Sequence, residues 1–165
     1  MARSRLMLTA AALALTLTRP ASAGIADSPL PTLVAGKTTN HVYSVAGVVS
    51  EPGIQTFFSC TSTDTVPMQI GVELFPSPGG GPCNDATASS LTVNPGATVL
   101  FSSNGGAAWI GIDSSLGGCT SKGSARILST SKKLVCTVYV ADSANYPPTS
   151  MVYLTIVSKL KQRGE

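Results

Sequence analysis

The sequence is poor in the side chains that enzymes most often use for chemistry. Its 165 residues include one histidine, His41, so any Ser-His-Asp or Cys-His site would have to use that residue. No serine lies in a G-x-S-x-G sequence. No C-x-x-C pair and no D-x-D-x-D-G loop is present, so neither a zinc or redox motif nor an EF-hand loop is indicated. We therefore predict a non-enzymatic protein with no catalytic residues, no metal and no cofactor.

Charge is also scarce, and it is balanced once the first residues are set aside. Three of the eleven basic residues, Arg3, Arg5 and Arg19, precede residue 24, which leaves eight basic and eight acidic residues beyond it. A balanced chain produces no overall field that attracts nucleic acid, so a nucleic-acid partner is not expected. No second apolar run is long enough to span a bilayer, which needs roughly 20 residues.

The N-terminus has the pattern of a signal peptide. Basic residues precede an apolar run, Leu6–Leu17, and Ala21 and Ala23 supply small residues at a cleavage site. An uncleaved membrane anchor is the alternative, which Pro20 and the small residues disfavour. We predict that residues 1–23 are a cleaved signal peptide and that the protein is secreted or periplasmic, with a role in the cell envelope or outside the cell.

A period of two in apolar residues dominates the rest of the sequence. In Leu134–Val140 the apolar residues alternate with Val135, Thr137 and Tyr139, which predicts a strand with one buried face. Met68–Phe75 alternates in the same way, so Glu73 is expected to face solvent. With further strands that include Trp109–Asp113, the pattern predicts an all-β protein of about eight or nine short strands. The expected architecture is a two-layer antiparallel β-sandwich of immunoglobulin-like or jelly-roll type.

The predicted domain organisation is simple. Residues 24–40 form an extended lead-in, and residues 41–158 form a single β-sandwich domain that ends in one long strand, Thr149–Ser158. That strand is apolar and uncharged, so it would aggregate at an exposed edge. Residues 159–165 form a basic tail in which Lys159, Lys161 and Arg163 are expected to keep the preceding strand soluble.

Four cysteines in an exported chain predict two disulfides. Cys60 and Cys136 lie in strand-like sequence, whereas Cys83 and Cys119 lie in glycine-rich loops. Pairing like with like joins Cys60 to Cys136, across the sandwich, and Cys83 to Cys119. The local pairing, Cys60–Cys83 with Cys119–Cys136, remains an alternative.

The sequence does not determine the biochemical function, ligand, partner or oligomeric state. A structural, adhesive or protein-interaction role is the leading hypothesis. The alternative is a small ligand-binding module for carbohydrate or lipid, because β-sandwich modules often stack sugars on exposed aromatic rings. Trp109 and Tyr139 are the candidate contacts, together with other tyrosines and the two glycine-rich loops. Trp109 also fits a role as a core anchor, and Tyr139 is expected to be exposed.

Overall fold

Ten β-strands and no helix form within residues 24–159, the part of the chain that the computed structural model describes. The predicted signal peptide (1–23) and most of the predicted basic tail (160–165) lie outside the described residues. The strands are β1 (Asn40–Glu51), β2 (Ile54–Ser62), β3 (Met68–Pro76), β4 (Leu91–Val93), β5 (Thr98–Ser102), β6 (Ser114–Ser115), β7 (Lys122–Ser129), β8 (Leu134–Asp142), β9 (Met151–Tyr153) and β10 (Ile156–Ser158).

The prediction of an all-β chain is confirmed, but the predicted strand count is wrong. The expected strand at Trp109–Asp113 is a loop with one isolated bridge, Ala107 to Ile110, and a two-residue strand, β6, follows it. The expected long strand Thr149–Ser158 is interrupted, so it forms the two short strands β9 and β10.

Hydrogen bonding links all ten strands into one sheet, which is nearly closed like a barrel. It contains two series of neighbouring strands, a first run β4-β3-β7-β1-β10 and a second run β6-β5-β2-β8-β9. Every pair is antiparallel except β5 with β6. The end of β1 pairs with β2 and so connects the runs. A register shift between Ala46 and Val48, where Gly47 has a φ of 79°, allows β1 to bend from one run to the other.

The segment Met151–Ser158 joins the two runs a second time, and we call it the clasp. Its first part, β9, pairs with β8 of the second run, and its last part, β10, pairs with β1 of the first. Between them Leu154 packs against the core and donates its backbone N–H to the Val138 carbonyl at 2.9 Å. Leu154 packs against the core at the point where the chain passes from β8 to β1 as its pairing partner. The apolar stretch therefore forms two short strands.

The main core lies between the two runs. Alternate residues of β1, β3 and β7 meet alternate residues of β2, β5 and β8 there, among them Val45, Val72, Phe58, Phe101 and Val138. These side chains are almost completely buried, and burial of that kind is the main source of stability in a domain of this size.

The Cys60–Cys136 disulfide also lies in this core. The strand register places Cys60 directly opposite Cys136 on β2 and β8, with 4.2 Å between the Cα atoms. The bond therefore joins neighbouring strands, and the expectation that it crosses between layers is wrong. Cys83 pairs with Cys119, so both disulfides follow the favoured pairing.

The outer face of the first run is covered by residues 24–39, which we call the N-terminal strap. Leu33 of the strap packs with Ala86 and Leu128. Gly71 on β3 makes room for this contact, because a Cβ atom there would lie 3.0 Å from Leu33 Cδ2 and 3.1 Å from the Ala86 carbonyl oxygen. The strap is therefore a packed layer and more than an extended lead-in.

A buried ion pair fixes the strap. The Arg126 Nε donates to the Glu73 carboxylate, and its two terminal nitrogens donate to the Ser28 and Pro29 carbonyls at 2.8 and 2.7 Å. The guanidinium also lies 5.2 Å from the centre of the Phe75 ring. Arg126 and Glu73 are 1% and 3% exposed, so the prediction that Glu73 faces solvent is wrong. The alternation in β3 is real, but the strap covers the face that the sequence assigns to water.

We expect Glu73→Gln to destabilise the fold by about 3 kcal/mol, because it leaves a buried guanidinium without its counter-charge. Replacing both partners, as Glu73→Leu with Arg126→Met, should recover much of that loss by removing the buried charge altogether. Urea unfolding of the oxidised protein measures both effects. Lys132→Gln on an exposed turn is the control and should leave the midpoint unchanged. An unchanged midpoint for Glu73→Gln would contradict this account.

Candidate functional site

Four aromatic rings cluster on the outer face of the second run, and we call this cluster the aromatic face. Phe57 lies 5.4 Å from Trp109 and 5.5 Å from Tyr139, measured between ring centres. Tyr139 and Trp109 lie 6.3 Å apart, and Tyr153 packs edge-on at 6.2 Å from Tyr139. The structure therefore brings together the two aromatic residues that the sequence singles out.

Trp109 anchors the loop that covers part of this face. The indole N–H donates to the Asp142 carbonyl at 2.6 Å, and the ring is half-buried. Ile110 and Ile112 of the same loop pack, like Trp109, against the buried cluster that includes Phe57. Because its N–H is already bonded within the protein and its ring packs on Phe57, Trp109 serves as an anchor here.

Tyr139 is buried, with 8% of its surface exposed, so the expectation that it is exposed is wrong. The Trp109 loop covers it, and burial, together with the neighbouring Tyr153, raises the pKa of the Tyr139 hydroxyl. Tyr153 on β9 is 70% exposed and is the accessible ring of the cluster. Sequence alternation misses this difference because it cannot show a loop folding over one end of the face.

Asp142 organises the loop between β8 and β9. Its carboxylate accepts five hydrogen bonds, from the backbone and side-chain groups of Thr149 and Asn145 and from the Ala144 N–H. These bonds, with that from the Thr149 hydroxyl the largest, hold the pKa of Asp142 well below its ordinary range. The Asp142 carboxylate is therefore occupied by hydrogen bonds within its own loop.

The exposed part of the second run is almost without charge. Asp142 is the one charged residue in its five strands. At the end of this run lie Met151, Val152 and Tyr153, which we call the β9 edge; all three are exposed. Within residues 24–159, β9 pairs with β8 and with no second strand. The arrangement offers an apolar side-chain surface next to a strand edge.

Two clefts lie beside the glycine-rich loops that the sequence singles out. The first, of about 490 Å³, lies between the start of the strap, the loop at Gly79 and Gly80, and the start of β7. The second, of about 430 Å³, lies beside the Cys83–Cys119 disulfide and is lined by polar residues such as Asp85. Within residues 24–159 no three His, Cys, Asp or Glu side chains come together as a metal site.

His41, the histidine that any catalytic site of a common type would need, lies at the start of β1 and is partly buried. Its Nε2 is 3.0 Å from the Ser44 hydroxyl. Burial, and then the charges of Arg126 and Lys159, lower the pKa of His41 to about 4. The hydrogen bonds found in the described part of the chain include none in which this imidazole donates to a carboxylate, so the Ser44–His41 contact lacks the third member of a triad there.

No family model, no curated protein and no solved structure matches this chain. In the described residues, no helix is long and apolar enough to cross a membrane. The function therefore has to be inferred from the chemistry of the surface itself.

We expect stability to fall as the pH drops from about 6.5 to about 4, because the unfolded chain binds a proton on His41 in this range and the folded chain does not. His41 is partly exposed, so the loss should be about 1–2 kcal/mol. His41→Gln should flatten this part of the stability profile, measured by urea unfolding at successive pH values. A histidine pKa near 6.5 in an NMR titration of the folded protein would contradict the prediction.

Proposed function

We propose that the protein is a non-catalytic exported module with a structural, adhesive or protein-interaction role, and that the β9 edge is its binding surface. The observation that carries this proposal is the near absence of charge in the second run, where the single carboxylate is committed to its own loop. Depletion of charge around exposed aromatic side chains is typical of the core of protein interfaces.

The β9 edge is short, at three residues, but it carries none of the charges that usually discourage strand addition. Natural edge strands carry lysines, inward-pointing charges or bulges that discourage pairing with another chain. No charged residue occurs between Asp142 and Lys159, and Val152 and Tyr153 are 62% and 70% exposed. An extended partner strand could pair with the backbone of β9 and pack its apolar side chains beside Tyr153. The partner that fits is an uncharged, apolar strand of another protein.

Carbohydrate binding at Trp109 and Tyr139 is less well supported. Sugar stacking needs exposed ring faces, whereas Tyr139 is buried and Trp109 packs against Phe57. Tyr153 and Tyr146 are the exposed rings, and Tyr146 lies in the loop that Asp142 organises. A stacked sugar would therefore contact these two tyrosines first.

We also infer a two-layer sandwich, in which the two runs are the layers, and export to an oxidising compartment. Support for the sandwich comes from the core, which takes side chains from both runs, and from the loops that cover both outer faces. Support for export comes from the leader-like N-terminal sequence and from the two disulfides, which form and persist in oxidising surroundings.

A photo-crosslinking amino acid at position 152 tests the binding surface in the native host. Val66 is a matched control, because it is also an exposed valine, at 58%, but lies in the turn between β2 and β3. We expect a discrete protein adduct from position 152 and none from position 66. Val152→Lys should abolish the adduct formed from a crosslinker at position 153, because an ammonium on an edge strand discourages pairing.

Val66→Lys should leave the position-153 adduct intact, and both variants should retain the wild-type unfolding midpoint. An adduct that forms equally from positions 66 and 152 would contradict the proposal. So would release of product from any envelope polymer by the purified protein, since that would make it an enzyme. An adduct of two copies of this chain would show self-association at this edge and contradict the assignment of the partner to another protein.

A further inference from the structure

The first cleft differs in character from the β9 edge. It lies on the side of the first run, where the ends of β1 and β3 and the start of β7 meet the first residues of the strap. Its volume of about 490 Å³ falls within the range of small-molecule sites. Its lining is more apolar than polar, with side chains of Ile25, Pro76 and Pro78 beside five glycines.

The walls are set by backbone packing. Gly123 lies so close to the Phe75 carbonyl that a side chain there would collide with the backbone. The Ser77 N–H donates to the Lys122 carbonyl at 3.0 Å and holds the glycine-rich loop against β7. The wall that β3, β7 and Ser77 form is therefore set by the backbone and does not depend on side-chain rotamers.

The charge in the cleft has one sign. Lys122 is the only charged residue among those that line it, and none of the ion pairs found within residues 24–159 includes Lys122. The nearby Asp27 accepts a hydrogen bond from the Gly24 N–H at 2.8 Å, within the turn at the start of the strap. A ligand in this cleft would meet an apolar surface with the Lys122 cation at its edge, and cleavage before Gly24 would add the positive amino group of that residue.

We propose that the first cleft binds a small anionic amphiphile, a medium-chain carboxylate, with its chain on the apolar wall and its carboxylate beside Lys122. An inorganic anion would not use the apolar wall. A sugar would find only the hydroxyls of Ser77 and Ser124 as side-chain partners of neutral type. This site is independent of the β9 edge, and either can exist without the other.

Titration calorimetry with octanoate and decanoate tests the site on the full chain, expressed with its leader and recovered in oxidised form. We expect one carboxylate per chain, with affinity rising about twofold to fourfold for each added methylene. Lys122→Gln should weaken decanoate about fivefold at low salt and leave decanol unchanged. The control Lys132→Gln, in the turn between β7 and β8, should bind both ligands as the wild type does.

A second variant, Ser124→Phe, fills the cleft and alters no charge. Ser124→Phe should abolish the binding of decanoate and of decanol, whereas Lys132→Gln should bind both. A wild-type unfolding midpoint for Ser124→Phe would show that its fold is intact. Decanoate binding that survives Ser124→Phe would overturn the proposal. Absence of decanoate binding to the wild type would overturn it as well, as would a loss on Lys122→Gln that is equal for acid and alcohol.

Discussion

The buried guanidinium of Arg126 is the constraint on which the first run depends. It fixes the Glu73 carboxylate, two strap carbonyls and the Phe75 ring at one point. Without its partners a buried charge of this kind costs several kcal/mol, so the strap, β3 and β7 must be in place together. The strap in turn begins at the wall of the first cleft. One side chain therefore links the covering of the outer face to the shape of the cleft beside it.

The two runs handle charge in opposite ways. The first run keeps charged side chains in its strands and neutralises the buried pair within the fold, whereas the second run carries only the committed Asp142. The outer face of the second run is instead made of aromatic rings, hydroxyls and aliphatic side chains. The Trp109 loop covers part of this face. This segregation is why the two surfaces suit different ligands. An apolar strand fits the side without charge, and an anion fits the side where a single lysine stands free of ion pairs in the described structure.

Much of the fold follows from alternation in the sequence, and the failures have a shared cause. The strand at Leu134–Val140 and the inward side of Met68–Phe75 are where the pattern puts them. Glu73 and Tyr139 fail because loops cover both outer faces, so residues on the polar side of a strand are buried as well. Arg126 is 53 residues from Glu73, and no local pattern records such a partner. In the candidate site, Trp109 and Tyr139 can be selected from the sequence because they are aromatic. The place of the exposed Tyr153 beside Tyr139 depends on the pairing of β9 with β8, which the sequence does not reveal.

The clasp has a mechanical consequence. Tension applied through the residues that follow Lys159 acts first on β10, then on β9, and then on the end of β8, since these strands follow one another back along the chain. Peeling stops at Cys136, because its bond to Cys60 holds β8 to β2 covalently. Peeling from this end can therefore release at most the residues beyond Cys136 before the load passes through the disulfide to β2. A pull on this side of the chain would thus release a fixed length before a covalent bond carries the load.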